Sequence, residues 1–308
     1  MPRRVPALLS VYRAGFEHLA RPVIFLGSAQ TAHDRVLRAL RWADGQAWLL
    51  PLWDAIRRGT LCEQPVMVGG VSLPVPVILA AGFVKGDGFA SEQKALDAVA
   101  AGRNIMPGWR CMPRLAGPVE FGSFTRWPRL GNPGIVVWRD APARSTQNRV
   151  GLKNPGARAA ARFLAGRRDD LPPVFGINIA VSPGVADSDQ EQAEVLESAA
   201  AFLEAGIRPA WLTLNLSCPN TEDDPGGNQT EDKTRRLCGA LVDLLGQHSA
   251  QAIPLWVKVG PDLDAAQYHA LLRACAEVGV RAVVATNTLG APTPTDPAVT
   301  AGVGGGRL

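Results

Sequence analysis

Between Pro74 and Ala285, short apolar runs alternate with helical stretches, and the residues that close each run are not those of ordinary turns. The runs are Val75–Ala81, Val119–Gly122, Val174–Ile179, Trp211–Leu214, Leu255–Val259 and Ala282–Ala285. Among the intervening helices, Gln190–Glu204 carries Val195, Ala199, Phe202 and Leu203 on one side, with Gly206 as a stop. Asp264–Val278 starts after a capping region at Asp262 and ends at Gly279. Strands that alternate with helices build parallel β/α units. In a parallel barrel the C-terminal ends of the strands meet at one mouth, where active sites form. Here Lys85 follows the first run, and Ser123 and Thr125 stand at the second. Asn178 lies in the third, Asn215 through Asn220 follow the fourth, Lys258 lies in the fifth, and Thr286-Asn287-Thr288 follow the sixth. One Asn after a strand is a turn residue by default; a whole set of strand ends carrying Lys, Asn, Ser, Thr or Cys points to one shared site.

Upstream, residues 5–58 read as helical. Leu8, Leu9, Tyr12, Phe16 and Leu19 form one stripe, and Val36, Leu37, Leu40, Ala43 and Ala47 another. Such stripes usually face a core, but an Arg-rich unit with Trp42, Trp48 and Trp53 equally suits a membrane interface. Residues 1–60 hold nine Arg and four acids, a local excess of +5 against +4 for the whole chain, so the rest is close to neutral. No nucleic-acid partner is expected, because no recognised motif or aromatic platform accompanies the arginines. No apolar run approaches the ~18–20 residues of a membrane span. The five cysteines are scattered without a CxxC pair, which argues against a disulfide framework and against a metal site. The 308 residues suffice for one large barrel or two ordinary domains.

Five strings in order carry a family resemblance: Ala80-Ala81-Gly82-Phe83-Val84-Lys85, Asn148-Arg149-Val150-Gly151-Leu152, Asn215-Leu216-Ser217-Cys218-Pro219-Asn220-Thr221, Val257-Lys258-Val259-Gly260-Pro261-Asp262 and Ala285-Thr286-Asn287-Thr288. From about residue 30 onward the chain resembles the dihydroorotate dehydrogenases, and most the membrane-associated, quinone-using class. The resemblance implies an α/β fold, a (β/α)8 TIM-type barrel over residues 61–308, behind a helical extension over residues 1–60 that faces membrane and quinone. It implies FMN as cofactor, dihydroorotate as substrate and a quinone as electron acceptor, with the protein peripheral to a membrane, on the cytoplasmic face in a bacterium. Cys218 resembles the catalytic base. Ala81, Gly82, Lys85, Ser123, Asn178, Asn215, Lys258, Thr286 and Gly305 resemble cofactor contacts, Gly305 within a glycine run that resembles the start of the phosphate stretch. Lys85, Asn148, Arg149, Val150, Gly151, Leu152, Asn215, Asn220, Asn287 and Thr288 resemble substrate contacts.

The sequence also departs from the family pattern. About six β/α units precede Leu308 where eight close a barrel, so an incomplete barrel is expected, either a truncated record or a true short form. Cys218 is the base typical of the soluble classes, whereas membrane-associated relatives usually carry Ser, and this leaves a soluble acceptor or another dihydropyrimidine as alternatives. A truncated, non-catalytic barrel is the alternative outside enzyme function. Ala180-Val181-Ser182-Pro183 replaces a Gly-Lys-Asn turn, and Glu222-Asp223-Asp224 replaces a short Gly-containing stretch. Arg103–Pro118 reads as an insertion forming a surface loop.

Overall fold

A computed structural model describes residues 7–61, 63–217 and 229–305. The chain opens with helices α1 (Ala7–Gly15) and α2 (Arg21–Phe25), joined by a π-helical turn, then α3 (Ala29–Asp44) and α4 (Leu50–Thr60). A hairpin follows, β1 (Val66–Val68) and β2 (Val71–Leu73), and then α5 (Glu92–Ala100) and α6 (Cys111–Ala116). The next elements are β3 (Val119–Phe124), β4 (Val137–Asp140), β5 (Ser145–Asn148), α7 (Ala157–Ala165), β6 (Phe175–Ala180) and α8 (Ser188–Glu204). The described chain ends with β7 (Trp211–Asn215), α9 (Glu231–Gln247), β8 (Leu255–Val259), α10 (Ala265–Glu277), β9 (Ala282–Ala285), β10 (Leu289–Pro292) and β11 (Thr300–Gly305).

The framework is a parallel sheet in the order β3-β6-β7-β8-β9. Leu79 extends it by a parallel bridge to Val119, so the run Val75–Ala81 occupies the first strand position. All six apolar runs of the sequence therefore lie in one sheet of the TIM-type α/β fold. Among the described residues the sheet does not close, and β9 is its half-exposed edge. Alternation sorts the side chains. Phe121, Ile177, Ile179, Leu212, Leu214, Val257 and Val259 pack against the helices. Trp211 and Trp256 point to the other side, onto Val71 and Leu73 of the β1–β2 hairpin. The two indoles stack with centroids 4.8 Å apart, and Trp256 Nε1 donates to the Gly69 carbonyl in the hairpin turn. The hairpin thus plugs the interior at the end opposite the strand C-termini.

The helix starts have visible causes. Asp187 caps α8 through Asp189 N and Gln190 N, and Thr230 caps α9 through Lys233 N. Asp264, rather than Asp262, caps α10 in a reciprocal box with Gln267.

Two expectations change. Arg103–Pro118 is not a surface loop: Ile105, Met106, Trp109 and Cys111 are buried. The cause is Asp44, at the end of α3. Its buried carboxylate accepts from Gly108 N at 2.7 Å, Arg110 N at 3.1 Å, Cys111 N at 3.0 Å and Asn104 Nδ2 at 2.8 Å. These donors fasten the helical unit to the barrel, and Arg114–Asp54 (2.8 Å) and Arg41–Asp87 (2.7 Å) add to them. The first N-terminal stripe does not face a core either: Tyr12, Phe16 and Leu19 are exposed, as are Val23, Ile24 and Leu26 beyond them. In the second, Ala43 is buried and Val36 is exposed.

A four-stranded sheet of order β10-β11-β5-β4, antiparallel throughout, was not legible in the sequence. Ser145-Thr146-Gln147-Asn148 has no apolar residue to announce a strand. The strand exists because both its neighbours supply a ladder.

Candidate active site

The strands deliver two tiers of polar side chains above the tryptophan floor. The lower tier centres on Glu120 of β3, 3% exposed. Its carboxylate accepts from Trp211 Nε1 at 2.9 Å, from Asn178 Nδ2 at 3.1 Å and from the Thr213 hydroxyl. The upper tier is a chain of contacts across the strand ends. Asn215 Nδ2 donates to Ser123 Oγ at 3.1 Å, and Asn215 Oδ1 accepts from Ser217 N at 3.1 Å. Ser217 Oγ lies 3.3 Å from the Lys258 carbonyl, and Asn287 Nδ2 donates to the Ser217 carbonyl at 2.6 Å. Asn287 N in turn donates to the carbonyl of Val259 at 2.8 Å. Lys258 pairs in register with Asn215 and is 9% exposed.

Ser123, Asn178, Asn215, Lys258 and Asn287, from separate strands, thus converge at one end of the sheet. Ala81 and Gly82 join them, because Gly82 N donates to the Gly122 carbonyl at 2.5 Å and Gly122 N to the Val84 carbonyl at 3.1 Å. Lys85 follows in that loop, and two residues on, Asp87 pairs with Arg41 of α3 at 2.7 Å. Burial lowers the His33 pKa; Asp34 opposes this, while Lys85 and Lys153 reinforce it. The helical extension therefore reaches the mouth.

Asn148 ends β5, paired with Val137 on one side and Gly302 on the other. The loop through Arg149, Val150, Gly151 and Leu152 is held by Asn132, whose Nδ2 donates to the Arg149 carbonyl at 2.8 Å. Asn154 ties the same loop to the end of β3. Its Nδ2 donates to the Leu152 carbonyl at 2.6 Å and to Thr125 Oγ1 at 2.9 Å. Thr286 is exposed just past β9, and Thr288 N donates to Asn287 Oδ1 at 2.9 Å. Gly305 is in neither a tail nor a loop: it ends β11, opposite Ser145, three positions beyond the Gly302–Asn148 pair. Cys218 and Asn220 lie outside the described residues.

Sequence reasoning missed Glu120, Asn154 and Ser217. Glu120 had a signal, since a lone carboxylate inside an apolar strand is rarely buried without a task. Asn154 and Ser217 had none beyond their neighbourhood.

Two features of the described residues fit the flavin that the resemblance implies. Asn178 Oδ1 is buried and meets no hydrogen-bond partner in the protein, so an acceptor stands ready for a ligand donor. Gly82 holds φ +107° with no atom within 4 Å of where a Cβ would stand, which leaves its backbone open to close approach.

A sequence model of the family described as dihydroorotate dehydrogenase matches residues 65–306. A relative from Gloeobacter violaceus, named dihydroorotate dehydrogenase (quinone), is 32% identical over 270 residues, covering 88% of this chain and 68% of its own. One of the same name from Chloroflexus aurantiacus is 32% identical over 293 residues, covering 90% and 70%. The fold is similar to crystal structures of DHODH from Eimeria tenella at 22% identity. The ferulenol complex gives a TM-score of 0.64, with 92% of this chain and 75% of that one covered. The ligand-free form gives 0.66, with 90% and 74% covered.

Proposed function

This chain belongs to the dihydroorotate dehydrogenase family, and from that premise we propose that it oxidises dihydroorotate to orotate in de novo pyrimidine (UMP) biosynthesis, with FMN as cofactor and a quinone as electron acceptor. The observation that carries this reading is the unbroken contact chain Ser123–Asn215–Ser217–Asn287 across the strand ends. It joins two of the five family strings, 215–221 and 285–288, to the end of β3 in space.

Forming a ring C=C bond removes a proton and a hydride from adjacent carbons. FMN, when bound, supplies the two-electron acceptor that no side chain offers. The protein's part is to hold the substrate and take the proton. The Cys218 thiolate is the proposed proton acceptor, next in sequence to Ser217 at the centre of the upper tier. Lys85 supplies a cation for the substrate carboxylate, and Asn148, Asn215, Asn220 and Asn287 supply amides that match a ring bearing both N–H and C=O groups. Asn132 and Asn154 fix the 148–152 loop, so these contacts are set before substrate arrives. Lys258, 9% exposed, would help hold the cofactor, and its positive charge would stabilise negative charge developing there.

Purified chain supplied with FMN is expected to turn yellow and to form orotate from dihydroorotate with a quinone acceptor. Fumarate and a nicotinamide, tested in parallel, separate the quinone reading from the soluble acceptors that Cys218 brings into question. A colourless protein that takes up no added FMN would sink the proposal.

Peripheral membrane docking through the turns that flank α2 accompanies this reading. Among the described residues no helix is long and apolar enough to cross a membrane. Yet Leu19 is 73% and Leu26 88% exposed, a cost in water that a lipid interface removes. Sedimentation with phosphatidylglycerol vesicles is expected for the parent and lost in the Leu19→Asp, Leu26→Asp double variant. Equal sedimentation of both would remove the membrane from the account.

A further inference from the structure

Glu120 lies beneath the site and is not among the residues assigned to cofactor or substrate. A carboxylate has no hydrogen to give, so Asn178 must turn its NH2 toward Glu120, and does so at 3.1 Å. The carbonyl of the same amide is thereby turned away from Glu120. Its Oδ1 is buried without a partner. Trp211 and Thr213 both donate to the other carboxylate oxygen, and the Trp211 indole alone suffices to hold it in place.

We propose that Glu120 is a positioning residue for the cofactor: it locks the Asn178 amide so that Oδ1 is presented as a hydrogen-bond acceptor to the ring imide N–H of a bound flavin. The inference rests on the flavin reading above. Its chemical basis is that the oxidised isoalloxazine carries a single ring N–H, at N3, while its other polar ring atoms only accept. An unpartnered acceptor at the cofactor site is complementary to that one atom, and an amide turned the other way is not.

Glu120→Gln is the test, because the indole of Trp211 can only donate. The new carboxamide must keep its oxygen toward Trp211 and place its NH2 toward Asn178. Asn178 then turns Oδ1 inward and presents NH2 to the ring. In the purified full chain, the dissociation constant for FMN, read by flavin fluorescence, is expected to rise roughly 30-fold. N3-methyl-FMN, which has no N–H to lose, should bind the parent weakly and change by less than about threefold on the same substitution. Thr213→Val removes a donor from Glu120 but leaves the Asn178 contact, and should leave FMN affinity within about threefold. In an Asn178→Ala background, Glu120→Gln should have no further effect on FMN affinity.

An equal loss for both flavins, a loss that persists without Asn178, or a loss matched by Thr213→Val would each overturn the assignment. If Glu120→Gln does not fold by thermal melting of the apoprotein, Asn178→Ala decides: it must weaken FMN and spare N3-methyl-FMN, and equal weakening refutes the idea. A parent chain that takes up neither flavin refutes the flavin reading itself, and this inference with it.

Discussion

Cys218→Ala is expected to abolish turnover of dihydroorotate while the protein stays yellow. Losing a positioned general base costs roughly 10²- to 10⁴-fold in rate. The proposed cofactor contacts of Asn178, Asn215 and Lys258 come from strands that the substitution leaves alone. The separation of rate from flavin content is therefore the diagnostic. The pH profile gives a second readout. An unperturbed thiol ionises near ~8.5, so turnover of the parent should climb as pH rises toward that value. Cys218→Ser, whose hydroxyl needs far stronger base, should be slow across the same range and keep climbing beyond it. A Cys218→Ala variant within about tenfold of the parent, or a parent rate flat from pH 6 to 9, would remove Cys218 from the chemistry.

Gly176→Ala should strongly destabilise the barrel. A Cβ at Gly176 would stand 2.1 Å from Trp211 Cε2 and 2.3 Å from Nε1. Trp211 has nowhere to go. It is fully buried, stacked on Trp256 and tied by Nε1 to Glu120. Overpacking of this kind costs about 3 kcal/mol or more, and the strain falls on the floor beneath Glu120 and Asn178. A large drop in the urea midpoint is the expected measurement. Trp211→Phe in the Gly176→Ala background should recover part of it, because the pair shares one space. An unchanged midpoint would mean that the floor is looser than its packing implies.

These predictions draw on unequal parts of the sequence. The apolar runs from Val75 to Ala285 were legible because strands buried in a parallel sheet must be continuously apolar. The residues closing them were legible because polar chemistry at every strand end is improbable by chance. Strand-end position alone pointed Asn178, Asn215, Lys258 and Asn287 to one shared end of the sheet, and their expected roles came from the family resemblance. Glu120 stood out as a lone acid in an apolar strand, but nothing local says that Trp211, Thr213 and Asn178, from two other strands, all donate to it. Asp44 was hidden altogether. It reads as the polar end of an amphipathic helix, and its partners lie some sixty residues ahead, at Gly108, Arg110 and Cys111. The strands β4, β5, β10 and β11 carry no period of their own strong enough to identify them.

By itself the sequence determined the α/β alternation, the end of the sheet at which chemistry gathers and the family strings that meet there, because alternation and burial are properties of neighbours along the chain. Tertiary structure alone decided that an acid would sit beneath the site, that the insertion would be buried, that the first helices would leave their apolar faces exposed, and that Gly302, Gly304 and Gly305 would lie in a strand. Each of these depends on a donor, a wall or a ladder supplied by residues far away in sequence, and no local pattern encodes such a partner.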